Sequence, residues 1–478
     1  MSFLRVATRF AKGPYGMNDC CFAGKFRDEN TQTRVSQERW NEMSMRGIER
    51  APWGRAFALG QAGGAVESGV GRGGSLLAQV ALVLALSVSG LALSSHRAAA
   101  TDYTAGVKNT NLNAGDTITT TADGADGFRV DNGTTITAPG NNKITTGGVD
   151  AWGLYARGAN SVLNARDVTV ITTGSSSTAA GARSGGKTIV TGGTFTVSGA
   201  DAYAGFADNG TLNLTNVVIN SQSTTGGGGV LSSQAAGVAN LNKVTISTTG
   251  NTAYGVRVNN AGSLTLSNGS SITTAGAYGA YGEEGVLTIK DSTITTGAAT
   301  AVYYTGKNAG SSLSITGATT QITATGGDAV VIAGGKAATI GDGVTITAKS
   351  DGKRGVTVSG GGQLTIGSAT VSTEGTSGFG LYATGAGSSI TATGTQIETK
   401  ATGAARAQAV VVNSGANITL KNVTISTVSG NGHGIWIKDA GSSVTMDAST
   451  SISTTGASAY GVLVENGATE TFTGGSTT

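Results

Sequence analysis

Cysteine, proline, histidine, aromatic rings and charge are all scarce in this sequence. The 2 cysteines, Cys20 and Cys21, are adjacent, so the chain after residue 100 has none and cannot be cross-linked by disulfides. It must draw its stability from something else. With 3 prolines against 78 glycines, collagen and proline-rich linkers are both excluded. Charged residues make up 12%, too few for the usual disordered chain, in which high net charge defeats burial. Residues 1–100 hold 12 Lys and Arg against 7 Asp and Glu, whereas the remainder holds 19 against 21. The basic balance therefore belongs to the first hundred residues. The rest lacks the positive field that nucleic acid requires.

Residues 76–93, LLAQVALVLALSVSGLAL, form an uncharged apolar run preceded by Arg72 and followed by SSHRAAA. A basic flank, an apolar core and a small-residue exit are the marks of a secretory signal, with cleavage expected after Ala100. The run is also near the length of a membrane anchor, but the small-residue exit favours cleavage. The expected division is a leader over 1–100, with a poorly structured extension over 1–75, and a single body over 101–478.

From about residue 126 the chain repeats. One phrase is SLTLSNGSSITTAG (263–276), VLTIKDSTITTG (286–297), QLTIGSATVSTEG (363–375) or NITLKNVTISTVSG (417–430). Between these lies AYGVRVNNAG (253–262), GFGLYATGAG (378–387) or GHGIWIKDAG (432–441). Aligning Leu212, Leu241, Leu264, Leu287, Leu313, Ala338, Leu364, Ile390, Ile418 and Val444 gives steps of 23 to 29, close to 26 residues. A fixed short period identifies a solenoid. Each repeat holds three short β-type runs separated by Gly, Asn, Ser or Asp, so each is one coil of three strands. Stacked coils pair each strand with its equivalents in parallel. The predicted fold is all-β, a right-handed parallel β-helix of the pectin-lyase-like kind. Ile118, Ile136, Ile246, Ile272, Ile294, Ile346 and Ile425 should point inward, with their immediate Thr and Ser neighbours outward. A sandwich or propeller would need hairpins and longer periods.

The apolar leader, the cysteine-free body and these Gly/Thr-rich coils together resemble the passenger domains of Gram-negative autotransporters, of the pertactin-like and adhesin-type style. The resemblance covers about residues 76–478. It implies export, passage through the outer membrane by way of a translocator barrel, and display at the cell surface or release. It also implies contact with a host-cell surface, extracellular matrix or glycans. The chain departs from the family by ending at FTGGSTT with no run of alternating, aromatic-girdled barrel strands. The alternatives for this ending are a truncated gene product, an interrupted reading frame or an expressed fragment, and the expected location is periplasmic unless a translocator is supplied.

No catalytic set is expected. His433 is the only histidine after residue 100, so any Ser-His-Asp arrangement would hang on it. Glu283 and Glu284 are adjacent, and adjacent residues on a strand face opposite ways. No metal, cofactor or phosphate motif is present. The competing reading is a secreted β-helix polysaccharide lyase or hydrolase with clustered acidic residues. An ice-binding solenoid would need one flat Thr face, which the variable corners disfavour. Parity turns Trp152, Tyr203, Tyr254, Tyr278, Phe379, His433 and Tyr460 inward as a stacked column. Three residues on, Tyr155, Arg257, Tyr382 and Trp436 take the opposite parity and are the candidate exposed contact face.

Overall fold

The short apolar runs do form strands, and strands only. The computed structural model of the protein describes residues 100–334, 337–403 and 406–473, and among these there is no helix. The expected signal and its flank, residues 1–99, lie outside them. The described chain is a parallel β-solenoid of about 14 turns with about 26 residues per turn.

One turn shows why. Residues Tyr254–Val258, Gly262–Ser267 and Ser271–Thr274 are its three strands. Their inward side chains Val256, Val258, Leu264, Leu266 and Ile272 are 0–1% exposed, and their alternate neighbours face out. Each such burial contributes about 1.5–3 kcal/mol. Above and below, every strand meets its equivalent in parallel register, as Ile246↔Ile272↔Ile294 and Leu264↔Leu287↔Leu313 do. All seven isoleucines expected inside are buried.

The first strand of each turn joins a 15-stranded sheet, and the second and third join a 27-stranded sheet. These last two are separate faces in most turns, divided by a corner residue of left-handed backbone such as Asn216, Asn268, Asp291 or Asn422. Asn and Asp tolerate that conformation. In Val162–Thr172 and Lys187–Val197 the chain runs through the corner as one strand, which fuses the two faces.

Two expectations need correction. Leu241 is equivalent to Leu214 and Leu266, whereas Ala239 is the partner of Leu212 and Leu264. A slip of two residues keeps the parity, so the apolar pattern alone cannot detect it. The last Thr of the T-I-T-T phrase, two residues past the Ile, faces inward with it as alternation requires: Thr248, Thr274, Thr296 and Thr427 are at most 2% exposed. Their hydroxyls donate to the carbonyls of Ala253, Ala277, Ala299 and Gly432 at 2.6–2.9 Å, fastening the corner that leads into the next turn. The second correction concerns the aromatic column and is taken up with the site.

Candidate functional site

The small-aromatic-small phrase lies at the start of several strands of the 15-stranded sheet, at Trp152, Tyr203, Tyr254, Tyr278, Phe379 and Tyr460. In AYGVRV, Gly255 and Val256 are both buried in succession, and so alternation breaks between them. The ladder registers Tyr254 with Gly228 and Val256 with Val230. A Cβ on Gly255 would lie 2.3 Å from both Gly279 O and Ile272 Cγ2. Two inward residues in a row require that the first be small. Gly153, Gly279, Gly355, Gly380 and Gly434 take this place in other turns, and Ala179, Ala329 and Ala409 in three more.

The consequence overturns the expected inner column. Trp152, Tyr203, Tyr254, Tyr278, Phe379 and His433 are half-buried on the outer face, and Tyr460 is exposed. The residue three positions on faces the same way, because the kink restores its side. Both series therefore share one face. Of the aromatic residues after Thr101, all but Tyr103, Phe128, Phe195, Tyr304 and Phe472 stand there.

The four residues singled out from the sequence fall in one column of this face. Tyr155 pairs with Arg129, Arg257 with Tyr281, Tyr382 with Thr357 and Trp436 with Val411 along successive rungs. Arg257, Tyr382 and Trp436 are half-buried. Tyr155 is only 5% exposed, because Trp152 covers it with ring centroids 4.4 Å apart. It belongs to the support of the face and not to its open surface.

Cations are threaded between the rings. The Arg257 guanidinium lies 5.5 Å from the ring centroids of both Tyr254 and Tyr281, and its Nη2 meets Glu283 Oε2 at 2.9 Å. Lys307 Nζ meets the other oxygen of Glu283 at 2.9 Å. Lys307 first, then Arg257, holds the Glu283 carboxyl below the usual range against the opposing effect of burial. Arg354 lies 4.2 Å from the Tyr382 ring and 5.7 Å from that of Phe379, and Asp328 is 3.7 Å away on the same guanidinium. Tyr278 and Tyr303 stack at 4.9 Å. Burial raises the phenol pKa of Tyr203, Tyr278 and Tyr281, so these rings stay neutral donors at physiological pH. Arg and aromatic rings held in such layers offer flat apolar contact with fixed polar edges.

Phe206, Tyr281, Tyr303 and Arg354 were missed from the sequence. The same three-residue offset finds Phe206 from Tyr203 and Tyr281 from Tyr278. Tyr303 and Arg354 carry no such signal, since an aromatic is replaced in the phrase itself.

Several carboxylates are occupied with structure. Glu284 Oε2 accepts from Asn308 at 3.0 Å. Asp123, Asp328, Asp342 and Asp351 each accept the backbone N–H of a residue one turn on, Val149, Arg354, Ser368 and Thr376, at 2.7–2.9 Å. They fasten rung to rung where the ladder is interrupted. Among the described residues no group of three or more His, Cys, Asp or Glu could hold a metal ion. His433 faces outward: its Nδ1 accepts from the Tyr460 N–H at 3.1 Å, and burial pushes its pKa down while Glu465 pulls it up.

No protein-family model matches the chain, and no curated protein is found similar to it. Among solved structures, a chain from the cryo-EM structure of the Vag8–C1 inhibitor complex is similar. It aligns with a TM-score of 0.58 at 16% identity, covering 76% of this chain and 100% of that one. At that identity the likeness is one of fold, and the fold shared is the β-solenoid.

Proposed function

We propose that this chain is a non-catalytic autotransporter passenger, exported by cleavage after Ala100 and displayed at the cell surface or released. Its role is contact with a host partner through the outer face of the 15-stranded sheet. The observation that carries this reading is the gathering of Arg257, Arg354 and the rings around them on one face. Elsewhere the exposed residues are chiefly Thr, Ala, Asn, Gly and Ser. Aromatic and Arg residues are the types enriched where proteins meet partners, while Lys and Ser are depleted there. A fold shared with the Vag8–C1 inhibitor complex supports it, since that solenoid-bearing assembly joins Vag8 to another protein. The structural employment of the Asp residues supports the absence of catalysis.

The test is binding of the full chain to cultured host cells and to immobilised matrix proteins. The Arg257→Glu/Arg354→Glu double variant should bind at least ~10-fold more weakly, while Thr265→Glu/Thr288→Glu on the other sheet should bind as the parent does. No binding by the parent, or equal loss in both variants, would exclude a contact role for this face.

A further inference from the structure

On the outer face, the two aromatic columns are interrupted by rungs without a ring at Gly181, Leu231, Val331 and Thr357, and by a last one near the far end. There the places are taken by Gln408, next to Phe379, and Val411, next to Tyr382. His433 and Trp436 follow on the next rung, with Trp436 registered on Val411. The small rung leaves a notch with rings on either side. An earlier small rung, at Gly181, is filled, because the Trp152 ring leans over that glycine and stacks on Phe206 at 5.7 Å. The notch at Gln408 stays open as a cavity of about 530 Å³, lined by Phe379, Arg406, Gln408, His433, Trp436 and Tyr460 among others.

Gln408 forms its floor. The residue is 4% exposed, and its Oε1 has no hydrogen-bond partner. A buried amide oxygen without a donor is destabilising, so the fold tolerates here a group that a ligand could satisfy. The walls are held in place. The Trp436 indole N–H donates to Glu465 Oε2 at 3.0 Å, and Lys438 Nζ lies 5.0 Å from the Trp436 ring. His433 is fixed by the Tyr460 N–H and packs on the Tyr460 ring at 5.3 Å.

We infer that this notch is a carbohydrate subsite that takes one pyranose residue of a glycan between Phe379 and the His433–Trp436 pair. The inference rests on the contact reading above and names the ligand class of part of that face. Two rungs separate the walls by about 10 Å. Contact distances of about 3.5–4 Å to each wall leave room for a saturated ring with axial hydrogens, whereas an inserted aromatic side chain is too thin to touch both. A sugar hydroxyl both donates and accepts, so it satisfies the Gln408 amide whichever of its ends points into the notch. Arg406 at the rim can take further hydroxyls, and the apolar face of the sugar lies on the rings.

The experiment titrates the full chain with maltotetraose, cellotetraose, mannotetraose and chitotetraose, following heat and tryptophan fluorescence. At least one should bind saturably. Its affinity should fall at least ~10-fold in both Gln408→Leu and Trp436→Ala, with Gln408→Leu melting no lower than the parent because the lone acceptor is gone. No binding by any of the four, or equal binding in both variants, overturns the subsite. If the chain still binds host cells while no tetrasaccharide binds, the subsite fails and the contact reading stands. If cell binding is absent as well, both fail.

Discussion

Arg257 is held by two rings and a carboxylate with its side chain 26% exposed. The ion pair is partly screened at that exposure, so most of its contribution comes from stacking and from burial of its aliphatic stem. Arg257→Ala should lower stability by about 1–2 kcal/mol in urea unfolding. Arg257→Lys should recover only part of this, since an ammonium cannot lie flat between two rings. His433 offers a second prediction at this scale. Burial lowers its pKa below the unfolded value of 6.5, with Glu465 opposing. The unfolded chain therefore binds more protons as pH falls through the imidazole range, so stability rises with pH across that window and is lost below it. Protonation also removes the Nδ1 acceptor used by the Tyr460 N–H. The melting temperature should fall more between pH 7 and pH 5 for the parent than for His433→Gln, and equal falls would assign the acid sensitivity to other groups.

At the scale of the strand, the kink at Gly255 decided what the sequence could and could not reveal. The inward isoleucines were legible because their strands alternate without interruption, and the period was legible because each turn must return to the same register. The side on which Tyr254 and His433 sit was not legible. Counting by twos assumes an unbroken pleat, and two buried residues in a row reverse every assignment before them. The signal was nevertheless present: in each such turn the first of the two inward residues is Gly or Ala. Its physical cause is the methyl group of Ile272, 2.3 Å from where a Gly255 Cβ would stand. Gly255→Ala should cost about 1–3 kcal/mol, since its Cβ would stand 2.3 Å from the Gly279 carbonyl oxygen as well as from Ile272, and Gly255→Val should cost more by further overpacking. Chemical denaturation of the two variants measures the difference. The inward Thr hydroxyls escaped notice for a different reason, since a Thr four residues into a strand reads the same whether it ends in solvent or turns a corner.

For the whole solenoid, each turn touches chiefly the turns on either side, so its stability is a sum of turn and interface contributions. The register Leu287↔Leu313 makes 26 residues the unit of repetition at that point. Deleting residues 287–312 removes one turn and leaves every later side chain on its present side. That variant should remain folded, with a melting temperature within about 5 °C of the parent and the same circular dichroism per residue. Deleting residues 287–311, one fewer, places Ser312 where Leu313 should be and turns the apolar series outward. It should aggregate or be digested rapidly by protease.

The hydrogen bonds between turns all run along the solenoid axis, which sets how the protein answers to force. A load applied between residues 102 and 473 does not shear many bonds at once. It opens the ladder at one end, a few bonds at a time, and the next turn becomes the new end. Each turn released converts about 5 Å of stacked height into a strand about 85 Å long when extended. A solenoid built this way yields in steps, and the turns still stacked keep their rings in place while the freed length takes up the pull.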